Sequence, residues 1–286
     1  MRRAAAILFA ALALAGCVVA PTTGAGRGPP TTAFNAHIAP FARWPYAPFS
    51  REAAVQIALG EWRAFRQPVK YPGTALLEDE EREEGLWQRI GLYWWIGLDP
   101  SQRESGWTGI HNENGAVFAA AEDGNYAWSA AFISYVMRLA GAGIGFPYSA
   151  THADYIDAAA RRDRGVALTA ERVTTYPPQQ GDLICAWRGR TPVTFDELPA
   201  PRFPGHCDIV VGRKRGELDV IGGNVDNAVT MKPIPITGDG RLAGPEGIVL
   251  DPDHHWFVVL RVLYQQPGLA PPALVAAAPA MARRRS

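Results

Sequence analysis

The spacing of apolar residues changes near Gly181, and this change constrains the fold more than any other feature of the chain. Before Gly181, apolar residues recur every three or four positions, which is typical of helices with one buried face. After it, short β-branched and apolar runs are separated by Gly and Pro, as in antiparallel strands. Helices followed by strands, without the alternation that a parallel sheet requires, predict an α+β fold: N-terminal helices and then an antiparallel sheet.

The pattern predicts individual elements as well as the class. Ser50 is a predicted N-cap, and the long segment 100–124, rich in Gly, Asn and Ser, is a predicted loop. Gly216 marks a hairpin turn between two strands. The predicted helices cover residues 50–65, 86–94, 132–140 and 151–160, and the predicted strands cover residues 182–187, 207–211, 218–221, 229–236 and 256–264.

The first seventeen residues have the organisation of an export signal. A charged start, Met1-Arg-Arg, precedes an apolar run over residues 4–13 that is too short to span a bilayer. The following Leu-Ala-Gly-Cys17 resembles the bacterial lipobox, which implies lipidation of Cys17; an ordinary cleaved signal with a chance Cys is the alternative. Val18 after that Cys implies, by the same resemblance, an outer-membrane lipoprotein facing the periplasm of a Gram-negative envelope. The predicted membrane contact is this lipid anchor.

The remaining chain divides into a linker, one domain and a tail. Residues 18–34 are rich in Pro, Gly and Thr and predict a flexible linker, and residues 266–286 predict a disordered tail. Residues 35–265 are long enough for one well-packed domain. The formal net charge is zero and basic residues are scattered, so nucleic acid is not a predicted partner. Protein partners are not predicted, and no cofactor is assigned.

The spacings of the cysteines and histidines do not indicate a metal site, and they leave the state of the two cysteines open. Cys185 and Cys207 form an even pair in a chain predicted to be exported, so a disulfide and two free thiols both remain open. The six histidines show none of the usual zinc spacings, and no metal site is predicted.

Three short motifs supply the chemistry of acyl transfer. Ser129 lies in Tyr-Ala-Trp-Ser-Ala-Ala-Phe at the start of a helical pattern, His206 lies in Gly-His-Cys at the start of a strand, and Asn224 follows Gly-Gly at the end of the next strand. A hydroxyl, an imidazole and an amide in one cleft form a nucleophilic centre. Each residue also has a structural interpretation: Ser129 as a helix cap, His206 as a core or turn histidine, and Asn224 as a turn residue.

Residues 125–224 resemble the CHAP and NlpC-type cell-wall amidases and peptidases, with Ser129 at the position of the nucleophilic Cys. The resemblance implies a papain-like fold, catalytic roles for Ser129, His206 and Asn224, and peptidoglycan as the partner, cleaved at an amide bond. A cleft for cell-wall peptide or glycan is predicted to be lined by Trp107, Tyr126, Trp128, His152 and Tyr155.

Two other functions remain open at this point. The domain is alternatively an inactive papain-like module that binds cell-wall material, because a Ser hydroxyl needs a well-aligned base to react. A third, weaker hypothesis is a glycoside-cleaving enzyme, since Glu104-Ser-Gly-Trp resembles the start of a lytic transglycosylase motif. Glu113 and Asp123 are then candidates for the second carboxylate.

Overall fold

The computed structural model describes residues 48–74 and 80–264. The predicted signal peptide, Cys17, the linker, the start of the predicted domain and the tail lie outside the described residues. Within them, no helix combines the length and apolar character needed to cross a membrane.

In the described part of the chain, four α-helices precede the sheet, as the change in periodicity predicts. They are α1 (Arg51–Ala64), α2 (Leu86–Gly97), α3 (Ser129–Leu139) and α4 (His152–Arg161). Ser50 caps α1, because its Oγ accepts a hydrogen bond of 3.0 Å from the Ala53 N–H. Short 3-10 turns, including Arg103–Gly106 and Ala120–Tyr126, interrupt the predicted long loop.

The six strands found among the described residues form one antiparallel sheet in the order β1-β6-β2-β3-β4-β5. Two glycine-dependent features shape it: Gly216 has φ +81° in the β3–β4 turn, and the β4–β5 register shifts between Gly222 and Val225. The strands are β1 (Leu168–Arg172), β2 (Leu183–Trp187), β3 (Gly205–Lys214), β4 (Glu217–Val225), β5 (Ala228–Pro235) and β6 (His255–Val262).

Helix α3 is the central helix of the domain. Every residue from Ser129 to Met137 is buried, because α2 covers one side of α3 while β3 and β4 cover another. Close approach to α2 depends on Gly97, where an added Cβ would lie 2.6 Å from the Ala131 carbonyl oxygen. The fold therefore holds the first turn of α3 against the sheet, and this is where the predicted nucleophile lies.

Candidate functional site

Ser129 is the first residue of α3, and its hydroxyl contacts a histidine from α4. The Ser129 Oγ lies 2.7 Å from the His152 Nε2, within hydrogen-bond distance. The preceding residue, Trp128, occupies the N-cap position, and no side chain caps the helix there. The Ser129 hydroxyl is thus directed to an imidazole across 23 residues of sequence rather than to its own helix.

His152 makes a second hydrogen bond on its other ring nitrogen. The Tyr155 hydroxyl contacts the His152 Nδ1, and the spacing of three residues places both side chains on one face of α4. In the tautomer that suits catalysis, Nδ1–H donates to the Tyr155 oxygen, and Nε2 accepts from Ser129. Ser129, His152 and Tyr155 therefore form a continuous hydrogen-bonded chain, which we call the serine chain.

Burial keeps the serine chain uncharged. It lowers the pKa of His152 well below the usual histidine value, and electrostatic repulsion from Arg188, and from His206 when that ring is protonated, lowers it further. Burial also raises the pKa of Tyr155 well above that of a free tyrosine, and nearby Asp154 and Asp208 add to this effect. At neutral pH, His152 is an unprotonated base and Tyr155 is a neutral phenol.

His206 belongs to a separate, charged group. Its Nε2 lies 2.9 Å from the Asp208 Oδ1, and the other Asp208 oxygen lies 2.7 Å from the Lys232 ammonium. All three residues are almost completely buried. We call His206, Asp208 and Lys232 the charged chain; it links β3 to β5 across the intervening strand.

Burial sets the protonation of His206, against the effect of the neighbouring carboxylate. Burial lowers the pKa of His206 to about 4, although the Asp208 carboxylate acts in the opposite direction. Burial alone would raise the pKa of Asp208, but Lys232 and His206 outweigh it and hold that pKa far below its usual value. Neutral His206 donates Nε2–H to Asp208, and its Nδ1 has no hydrogen-bond partner among the described residues.

The two chains meet where the histidine rings approach each other. The ring centroids of His152 and His206 are 5.3 Å apart. Two adjacent glycines of β4 make room for this arrangement. A Cβ at Gly222 would lie 1.9 Å from the Asp208 Oδ1, and a Cβ at Gly223 would lie 2.6 Å from the Phe132 Cβ. The Gly-Gly pair allows Asp208 to approach from one side of β4 and α3 from the other.

The first turn of α3 also supplies donors for a developing negative charge. The first N–H groups of a helix have no acceptor within it, and the helix dipole is positive at this end. Ser129, Ala130 and Ala131 occupy these positions, while the Phe132 N–H is already bonded to the Trp128 carbonyl at 3.0 Å. The Ser129 hydroxyl and these backbone N–H groups therefore lie on the same helical turn.

The structure brings the three predicted catalytic residues to one region but pairs them differently from the sequence prediction. Ser129 contacts His152, which the sequence assigned to the cleft lining, and His206 contacts Asp208, which the sequence analysis missed. Asn224 has φ +54° at the β4 bulge, the turn geometry that its residue type favours. Among the described residues, no hydrogen bond joins its side chain to either histidine.

The predicted aromatic lining of a cleft lies mostly in the core. Trp107, Trp128 and Tyr155 are no more than 8% exposed. Trp107 and Trp128 donate their indole N–H groups to Glu113 and Glu81, each at 2.8 Å. Tyr126 is partly buried; its ring stacks on Phe118 and contacts Trp107 edge to face. These side chains are occupied in packing, so the substrate surface must be sought elsewhere.

The two cysteines form a disulfide, and the carboxylates proposed for glycoside cleavage do not fit that role. Cys185 and Cys207 are opposite each other on β2 and β3 and form a buried disulfide, so neither is a free thiol. Glu113 accepts a hydrogen bond from Trp107 that lowers its pKa, whereas a glycosidase general acid needs a raised pKa. Asp123 is paired with Arg82.

Among residues 48–74 and 80–264, no three His, Cys, Asp or Glu side chains group as metal ligands.

Comparison with known proteins places the chain in a bacterial family. No curated protein and no solved structure matches it. Residues 81–262 match the family described as "uncharacterized protein conserved in bacteria" (DUF2272). The match includes α2, α3, α4 and all six strands, and hence both the serine chain and the charged chain. Because this match covers well over half of the sequence, the chain belongs to the DUF2272 family of bacterial proteins.

Proposed function

We propose that the protein is a serine-dependent amide hydrolase of the bacterial envelope, with Ser129 as nucleophile and His152 as general base. The observation that carries the proposal is the 2.7 Å contact between the Ser129 Oγ and the His152 Nε2. A nucleophile within hydrogen-bond distance of a neutral imidazole, itself oriented by a third group, is the recurring geometry of acyl transfer.

The chemistry follows in balanced steps. His152 takes the Ser129 proton on Nε2 while the Oγ forms a bond to the amide carbon, and the N–H groups at the start of α3 stabilise the oxyanion. The carbon–nitrogen bond then breaks, and His152 returns the proton to the leaving amine. Water, deprotonated by the same imidazole, releases the acyl group and restores Ser129. Tyr155 holds the ring through Nδ1 during these transfers.

The envelope setting and the substrate come from the sequence. The charged start, short apolar run and Leu-Ala-Gly-Cys17 support a lipid anchor on Cys17 and an outer-membrane position facing the periplasm. The resemblance of residues 125–224 to the CHAP and NlpC-type enzymes supports a papain-like domain acting on peptidoglycan. Mass spectrometry of the native protein tests the anchor, because an unmodified Cys17 would contradict it.

Burial favours one alternative, a papain-like module that binds cell-wall material without cleaving it. Ser129 is 8% exposed and His152 is 4% exposed, so a substrate carbonyl must displace neighbouring side chains to reach the Oγ. A binding module has no such requirement. The two functions therefore differ in whether product forms.

The deciding experiment measures peptide release from isolated peptidoglycan by mass spectrometry. We expect Ser129→Ala to abolish release and Ser129→Cys to retain some, because a thiol ionises more readily beside an imidazole. Ser134→Ala is the matched control, since Ser134 is a buried serine of the same helix bonded to the Ser149 carbonyl at 3.2 Å. Equal release by wild type and Ser129→Ala would exclude Ser129 as nucleophile. Binding to peptidoglycan without release by wild type would establish the alternative.

A further inference from the structure

An open cavity of about 470 Å³ is lined in part by Pro204, two residues before His206 in the chain. Three arginines line it, together with apolar and proline side chains: Arg188, Arg190, Arg202, Val193, Phe203 and Pro204. A cavity of this volume falls within the range of small-ligand sites.

The cavity lining has more positive than negative side chains, since it contains three arginines and one glutamate. Among the described residues, the side chains of Arg188, Arg190 and Arg202 make no hydrogen bond or ion pair within the protein. The one carboxylate of the lining, Glu197, already accepts hydrogen bonds from the Thr194 N–H at 2.7 Å and the Thr194 hydroxyl at 2.8 Å. The donors of these three guanidinium groups therefore have no acceptor among the described residues, although Asp208 and Asp226 attract the Arg188 charge and partly offset the lowering of its pKa by burial.

Contacts around Gly205 connect the cavity to the serine chain. A Cβ at Gly205 would lie 3.3 Å from the ring of Phe203, a cavity residue, and 3.6 Å from the His152 Cβ. The Arg188 backbone N–H donates to the Pro204 carbonyl at 2.7 Å, which fixes Arg188 next to this segment. The Arg188 charge also lowers the pKa of both His152 and His206. The charge of a cavity residue thus acts on both histidines.

We infer that this cavity binds a carboxylate of the substrate, so that the site selects acidic peptides. The inference rests on the proposed function, because it assigns a specificity to the Ser129 centre. Guanidinium groups match carboxylates in geometry and donate two parallel hydrogen bonds to them. A bound carboxylate compensates the excess positive charge of the lining, while the neighbouring peptide bond lies toward Gly205 and His152.

Binding to the Ser129→Ala protein tests the inference without turnover. The probes are acetyl-Ala-Glu-Ala-amide and its isosteric acetyl-Ala-Gln-Ala-amide, measured by calorimetry at low ionic strength. We expect the Glu peptide to bind about tenfold more tightly, because charge-assisted hydrogen bonds exceed neutral ones. High salt should reduce this preference. The combined Arg188→Gln and Arg202→Gln variant should lose it, whereas Arg215→Gln, in the distant β3–β4 turn, should keep it.

The outcomes separate this inference from the proposed function. Equal affinity for the two peptides, or no binding of either, overturns the carboxylate site. A preference for the Glu peptide that the Arg188 and Arg202 changes leave intact also overturns it. If the preference is present and depends on these arginines while wild type releases nothing from peptidoglycan, the carboxylate site stands and the hydrolase proposal fails.

Discussion

The serine chain and the charged chain each contain a buried histidine, but their partners differ in kind. His152 lies between a serine hydroxyl and a tyrosine hydroxyl, and all three groups are neutral. His206 lies beside a carboxylate whose charge is balanced by a buried ammonium. The rings are only 5.3 Å apart, so the difference arises from their partners and not from their location.

This difference indicates that the two histidines have different roles, one chemical and one structural. A neutral imidazole bonded to a hydroxyl can accept its proton without separating an existing ion pair. In the charged chain, Asp208 and Lys232 are buried together, and each charge is stable only while its partner is present. This mutual dependence holds β3 and β5 in position. We infer that the serine chain moves the proton and that the charged chain maintains the sheet beside it.

The largest expected effect is the loss of peptide release when His152, but not His206, is replaced. His152→Gln should reduce peptide release from peptidoglycan by about a thousandfold or more, because glutamine cannot accept the Ser129 proton. His206→Gln should reduce release by about tenfold or less once the folded fraction is taken into account. Initial rates for both variants, with circular dichroism to measure the folded fraction, make the comparison. A larger loss for His206→Gln would assign the base to His206, as the resemblance to the cell-wall enzymes implies.

The next effect concerns stability and the charged chain. Asp208→Asn should lower the free energy of unfolding by about 3–5 kcal/mol, because it leaves the Lys232 ammonium buried without its counter-ion. Asp219→Asn is the matched control: it removes an aspartate 2.9 Å from Lys214, whose side chain is 66% exposed, and should cost about 1 kcal/mol or less. Urea unfolding measures both values. Equal losses in the two variants would show that Asp208 and Lys232 do not stabilise the sheet as a buried pair.

Much of the fold follows from the sequence because helical and strand periods are local properties. The α+β class, the four helices and five strands are predicted, and Ser50 is correctly identified as a cap. Strand β1 (Leu168–Arg172) is missed, because it pairs only with β6 at the edge of the sheet and only its first residue is buried. An edge strand of this kind lacks the apolar run that identifies a central strand.

The site is harder to predict because its pairings are long-range. Ser129 stands out at a helix start, and the Gly222-Gly223 pair signals the close approach that the structure shows. The choice of partner for Ser129 depends on how α4 packs against α3, which residue spacing alone does not determine. Two features of the sequence nonetheless pointed to these pairings: His152 and Tyr155 are three residues apart on a helix, and Asp208 is a charged residue in the otherwise apolar run 207–211.

The third prediction uses pH to examine both histidines together. Since the folded pKa of His206 is about 4 and the ordinary value is 6.5, the unfolded chain binds a proton first on acidification. His206 should therefore destabilise the fold progressively from about pH 6.5 to about pH 4, by roughly 3 kcal/mol in total, and His152 should act in the same direction. Urea unfolding across this range measures the slope. His206→Gln should have a shallower slope than wild type, and identical slopes would contradict the assignment.

The smallest expected effect tests whether Tyr155 positions His152. Tyr155→Phe removes the hydroxyl at Nδ1 but keeps the ring that packs in the core, so the imidazole loses the group that selects its tautomer. We expect about a tenfold lower rate of peptide release, a loss near that of one hydrogen bond, with little change in affinity for peptidoglycan. Tyr148→Phe is the matched control, because the buried Tyr148 hydroxyl has no hydrogen-bond partner among the described residues. If both tyrosine variants lose the same activity, the effect of Tyr155 is general packing. A loss confined to Tyr155→Phe, at unchanged affinity, would show that the phenol acts through the histidine that contacts Ser129.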